Sequence, residues 1–294
     1  MKNGVILAIF SSLVFSIMNV LVKAVSETIP TAEIVFFRSF IGLIVIYILM
    51  LKSKVIFSRK GIPMLALRGV LGALYLLAYF HTIASIPLTD ASILVHLSPV
   101  FVILLSAVFL KEKMSKRTFA LLPLAFLGAF FLVKPFQYSS YSMDALIGIL
   151  SALFAAGASI SIRYLTKKHH AYEIIFYFLA TATLVSIPLM WNQFVVPGAV
   201  ELLYLSLIAL VSLLGLVVLT KAFTHENVIV VEVVRYIGIF FNAVWGFIFW
   251  TEIPDLFTVI GGILIIAVCI ALSRKKKEKT EQVKAEQGLV TKSS

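Results

Sequence analysis

Ten runs of mostly apolar residues follow one another through this chain, at roughly 4–26, 32–51, 62–84, 88–110, 117–135, 144–165, 171–190, 201–222, 228–250 and 256–273. About 20 such residues in a helix cross the hydrocarbon core of a bilayer, so each run is a candidate span. The runs are continuous rather than alternating, which points to helices and not to the strands of a barrel. Charged residues make up 13% of the chain. Soluble domains carry roughly 25%, so a soluble fold is excluded. The first run reaches Val22 with no small-residue cleavage site behind a short core, and reads as a span rather than a removed signal. The lone cysteine, Cys269, excludes an intramolecular disulfide and a cysteine metal cluster.

The expected connections are short (ETIPT, SIPLTD, HENV, TEIPD) and leave no room for a soluble accessory domain. Basic residues gather on alternate connections: Lys52, Lys54, Arg59 and Lys60; Lys111, Lys113, Lys116 and Arg117; Lys167 and Lys168; then Arg274 to Lys277. The connections 27–31, 85–87, 136–143, 191–200 and 251–255 contain neither Lys nor Arg. By the positive-inside rule both termini are cytoplasmic, in a multi-pass protein of the cell membrane. The net charge of +11 therefore reports orientation, not a nucleic-acid partner. The tail 274–294 is charged, low in apolar residues and expected to be disordered.

A weak internal repeat runs at an offset of 140 residues. Ser11 meets Ser151, Lys23 meets Arg163, Glu33-Ile34 and Phe36 meet Glu173-Ile174 and Phe176, and Glu112 meets Glu252. Chance matching of leucine-rich helices is the alternative, but charged residues match as well. The halves are 1–137 and 138–273. Five spans is an odd number, so the second half enters the membrane upside down. Inverted repeats with a site at their interface are the architecture of many secondary transporters.

Polar residues inside the runs mark candidate sites, because they are costly in lipid unless they face protein or a water-filled cavity. His96 and Tyr236 correspond across the repeat, each roughly 12 Å from opposite faces. Pro99 denies the Val95 carbonyl its usual partner beside His96, so a kink is expected there. A freed carbonyl, an imidazole and a phenol would serve a polar solute; a packed kink is the bland alternative. Glu232 and Arg235 share a helix face, either as a wall for a zwitterion or as a mutual ion pair. Arg38 is favoured as a substrate or gate residue, and Arg68 as a snorkelling interfacial anchor. Asn19 and Asn242 suit helix–helix hydrogen bonds. Tyr75, Tyr79, Phe241 and Trp245 could form an aromatic lining, with Tyr79 and Trp245 the two singled out. Glu33, Glu173, Asp90, Glu112 and Glu252 fall at helix ends, in structural or gating roles. Gly69, Gly72, Gly261 and Gly262 permit close helix approach, within one chain or across a possible homodimer.

Three segments, FFRSFIG at 36–42, LRGVLGALYLLAYFHTIASIPLTDASILVHLSPVFVILLSAVFLKEK at 67–113 and FIFWTEIPDLFTVIGGILIIA at 247–267, resemble the EamA branch of the drug/metabolite transporter superfamily. The resemblance covers nearly everything from residue 4 to 273. It implies ten helices in two inverted five-helix halves around a central cavity, with spans five and ten at the periphery. It also implies transport, commonly export, of amino acids or other metabolites. Ile239 stands where a second proline would map, and His96 is not a residue expected at its position.

The expectation is an all-α integral membrane protein of ten transmembrane helices that exports small polar metabolites by alternating access. The bilayer and a small-molecule solute are its partners, and no cofactor or metal is expected. The expected substrate-binding residues are His96, Tyr236, Arg38, Glu232, Arg235, Tyr79 and Trp245. No Walker-type loop supplies ATP drive. A membrane-embedded enzyme or a channel is the alternative, although no nucleophile–base pair or HExxH motif is present.

Overall fold

The computed structural model describes residues 2–55, 57–58, 61–109, 116–133, 140–166, 168–225, 231, 234–268 and 270–271. Glu112, Glu232, Cys269 and the tail 274–294 lie outside the described residues. The described chain is helical: α1 (Lys2–Val25), α2 (Thr31–Lys52), α3 (Ile62–Ser85), α4 (Leu88–Val95), α5 (Ser98–Phe109), α6 (Lys116–Val133), α7 (Ser140–Leu165), α8 (Ala171–Met190), α9 (Ala199–His225), α10 (Ile237–Trp250) and α11 (Leu256–Val268). Six helices (α1, α2, α3, α7, α8 and α9) are long and apolar enough to cross a bilayer, and shorter apolar helices accompany them.

Side chains are distributed as lipid demands. Leu184 and Phe240 are 68% and 64% exposed, whereas Arg38 and Arg68 are 2% and 7% exposed and Asn19 and Asn242 are buried. Outward-facing apolar groups suit a hydrocarbon solvent, and polar groups must find partners inside.

Packing follows the repeat. Shifting α1, α2, α3 and the α4–α5 pair by one half leads to α7, α8, α9 and α10. This shift turns the α1–α9 contact into α7–α3, α2–α9 into α8–α3, and α1–α10 into the packing of α7 against α4 and α5. The contacts α2–α8 and α4–α10 map onto themselves. Glu33 opens α2 and accepts from the Val195 amide at 3.0 Å; its repeat counterpart Glu173 opens α8 and accepts from the Ser58 amide at 2.8 Å. Both acids thus tie down a loop of the opposite half. At one end of the bundle Lys23 pairs with Glu252 and donates to the Ile86 carbonyl at 3.1 Å, while the Leu88 amide donates to Glu252 at 2.8 Å. Nearby, Asp90 accepts from the Tyr141 and Thr258 hydroxyls.

The expected kink at Pro99 is instead a break. α4 ends at Val95, His96 and Leu97 form a turn, and Pro99 occupies the first turn of α5, where its missing N–H would be an orphan in any case. A second break stands at Arg235–Tyr236, the matching place in the other half, although no proline is near it. Tight i to i+3 bonds cross both breaks, from the Leu97 amide to the Leu94 carbonyl (3.1 Å) and from the Gly238 amide to the Arg235 carbonyl (2.9 Å).

Glycines set the closest approaches. A Cβ on Gly69 would meet Thr181 Oγ1 at 2.3 Å and the Tyr177 carbonyl at 3.0 Å, and one on Gly262 would meet Ile93 at 3.0 Å. The contact seen at Gly262 is therefore within one chain. Gly69→Val is expected to wedge α3 from α8, with a cost of about 1–3 kcal/mol. The loss should appear as a lower unfolding temperature of the purified protein.

Candidate functional site

Between the two breaks lies a cavity of about 150 Å³, walled by α1, α2, α3, α7, α8, α9 and both interrupted helices. The fold brings four of the expected site residues to it: His96, Arg235, Arg38 and Tyr79. Tyr236 is buried behind His96, ring centroid to ring centroid 5.2 Å, and does not line the cavity. Trp245 is also outside the lining; its indole donates to Ser16 Oγ at 3.1 Å, and Ser16 does line it. Glu232 lies outside the described residues.

His96 joins the two halves. Nδ1 is 2.6 Å from the Ser92 carbonyl one turn back, and Nε2 is 3.3 Å from the Arg235 carbonyl at the second break. Both facing atoms are acceptors. A neutral imidazole has one N–H and can satisfy one of them, whereas the imidazolium satisfies both. His96 therefore contacts the second break through the Arg235 carbonyl and packs on Tyr236, the residue 140 positions on.

A polar layer adjoins them. Asn19 donates to the Tyr79 hydroxyl at 3.0 Å and to Asn242 Oδ1 at 3.3 Å, and Asn242 donates to Ser92 Oγ at 2.9 Å. The asparagines therefore make the expected helix–helix bonds, and both also line the cavity. Tyr75 stacks on Tyr79 at 5.7 Å, an aromatic wall that the i, i+4 spacing foretells.

Arg68 corrects the sequence reading. It does not snorkel to an interface: it is buried, lines the cavity, and places its guanidinium 4.6 Å from the Phe178 ring. Arg38, on a different helix, reaches the same ring at 5.7 Å. Distance along a span could not reveal this, because the packing of α3 against α8 turns Arg68 inward. The signal available was Gly69 and Gly72 beside it, since close approach to α8 leaves Arg68 no route to lipid. Ser12, Leu219, Ile162 and Arg235 extend the lining toward the end of the bundle opposite Lys23 and Glu252.

Comparison with known proteins places this geometry in context. A model of the EamA-like transporter family matches twice, over residues 2–134 and 143–274. The chain is 60% identical over 278 residues to the pseudopaline exporter CntI of Pseudomonas aeruginosa, covering 94% of this chain and 98% of that one. It is 24% identical to an S-adenosylmethionine uptake transporter of Rickettsia prowazekii, covering 94% of each. A solved crystal structure with 17% identity superposes with a TM-score of 0.64, covering 94% of this chain and 99% of that one, and shares its fold.

Proposed function

The chain belongs to the EamA-like transporter family, and from that premise we propose that it exports small polar metabolites, amino acids or their derivatives, by alternating access. It is a multi-pass membrane transporter and not an enzyme, as the names of its relatives indicate. The observation that carries the reading is the buried cavity between two helix breaks at matching positions of the repeat. Broken helices at the interface of inverted repeats are how secondary transporters present a polar site at mid-membrane.

Two inverted halves, 1–137 and 138–273, fit the double family match and the exchange-symmetric packing. Ten spans follow when α4 with α5, α6, α10 and α11 are counted beside the six longer helices. The basic loops orient both termini to the cytoplasm. In that orientation the Lys23–Glu252 pair closes the outer end, and the cavity lining extends toward the cytoplasm, where an exporter would load. The exporter name of the 60% identical relative supports that direction and makes pseudopaline the first solute to assay.

Purified protein in liposomes preloaded with pseudopaline or an amino acid should drive counterflow of the labelled solute. Pseudopaline accumulation above that of protein-free liposomes is the expected result. No movement of any solute by folded, inserted protein would overturn the reading.

A further inference from the structure

Arg38 and Arg68 are not packed as structural arginines are. A buried guanidinium ordinarily pairs with a carboxylate or with backbone carbonyls. Here Nε and Nη1 of both residues are buried without a hydrogen-bond partner. Aromatic faces hold them instead: Arg38 lies 5.7 Å from the Phe178 centroid and 5.9 Å from Phe80, and Arg68 lies 4.6 Å from Phe178. An aromatic face attracts the cation without consuming its N–H groups, so both planar forks keep donors to offer. Gly72 makes the room, for a Cβ there would stand 2.2 Å from Arg68 Nη1 and 2.6 Å from the Phe178 ring.

The described surroundings add positive potential. Among the described residues that line the cavity there is no Asp or Glu. Two helices start at it: Ser98 and Pro99 of α5 and Gly238 of α10 belong to its lining. Their N-terminal ends carry partial positive charge toward the same space. Two guanidiniums against one ring, with no acidic residue among the described lining, are costly to hold in a low-dielectric interior. A ligand bearing two negative groups relieves that cost, and a planar carboxylate meets a planar fork with two parallel bonds.

We propose that the transported solute carries two carboxylates, and that Arg38 and Arg68 each bind one of them. That assignment rests on the cavity being the solute site of the exporter proposed above.

The test is thermal unfolding of the detergent-purified full chain with glutarate, monomethyl glutarate or inorganic phosphate. Glutarate should raise the unfolding temperature by mass action. It should half-saturate at a concentration about tenfold or more below that of its monoester, the worth of one charge-assisted pair. Phosphate should leave the temperature unchanged. Arg38→Met and Arg68→Met should each lose the glutarate shift, yet unfold unliganded at or above the wild-type temperature, because an uncompensated buried charge has gone. Arg38→Lys and Arg68→Lys keep the charge and lose the fork, so they should fold and bind glutarate more weakly. Gly72→Ala, which displaces Arg68, should weaken glutarate binding in the same way.

Several results would overturn the assignment: no glutarate shift in the wild type, equal affinity for the monoester, or a phosphate shift as large as that of glutarate. Methionine variants that unfold earlier but keep the glutarate shift would also overturn it, since that is what a structural role gives. Liposome flux of a solute without paired carboxylates, undiminished in Arg38→Met and Arg68→Met, would remove the dicarboxylate and leave the transporter. The expected binding pattern without any flux would remove the transporter reading alone.

Discussion

Glu252→Leu is expected to lower the unfolding free energy by about 2–4 kcal/mol, toward the lower end for breaking a buried ion pair. The estimate sits there because the side chains of Lys23 and Glu252 keep 12% and 14% exposure. Glu252 serves two donors, the Lys23 ammonium and the Leu88 amide, so its loss leaves the ammonium without its counter-charge and the N–H without its acceptor. Lys23→Met alone should cost a similar amount. In the double mutant, two apolar side chains replace the pair, and a coupling of about 1–3 kcal/mol should return. The Leu88 amide keeps a deficit of about 1 kcal/mol. Stability and transport are then expected to part company. A pair that closes the proposed outer end must break and re-form in each cycle. The double mutant should therefore unfold near the wild-type temperature while its counterflow stays well below wild type. Normal flux in that mutant would reduce the pair to a structural brace.

His96→Ala is expected to bring counterflow down to that of protein-free liposomes while the protein still folds and inserts. The substitution removes two contacts to carbonyls and the ring packing on Tyr236, worth together about 2–4 kcal/mol. The contacts with the Arg235 carbonyl and Tyr236 span the two helix breaks, so their loss uncouples the parts that the proposed alternating access would move together. Arg235→Ala should likewise abolish flux, because Arg235 lines the cavity and its backbone holds the second break. His96→Gln keeps a donor and should retain residual flux. Undiminished transport in both alanine variants would remove these residues from the mechanism without touching the fold.

How far the site was legible varies residue by residue. The offset of 140 makes His96 and Tyr236 counterparts on either side of the midplane, but that their rings pack together is seen only in the structure. The place of Arg38 in FFRSFIG points to the site, and the residue reaches the cavity. Depth along a span suggests an interface for Arg68 and says nothing of the direction in which its side chain points, which is inward. Tyr236 and Trp245 fall one layer behind the lining for the same reason, since rotation of a helix about its axis is set by its neighbours. The break at Arg235–Tyr236 had no proline to announce it, and interruption of that helix is visible only beside His96.

Membrane residence, helical class, the repeat and the charge asymmetry of the loops were determined by the sequence alone. Each is a sum over many residues, so the bilayer's demand for apolar length and satisfied backbone overrides local detail. Tertiary structure alone decided which polar groups converge. Two arginines thirty positions apart share the Phe178 ring, and Lys23 finds Glu252 across the whole chain. Such meetings depend on helix rotation and crossing, which packing against neighbours sets and no local pattern encodes.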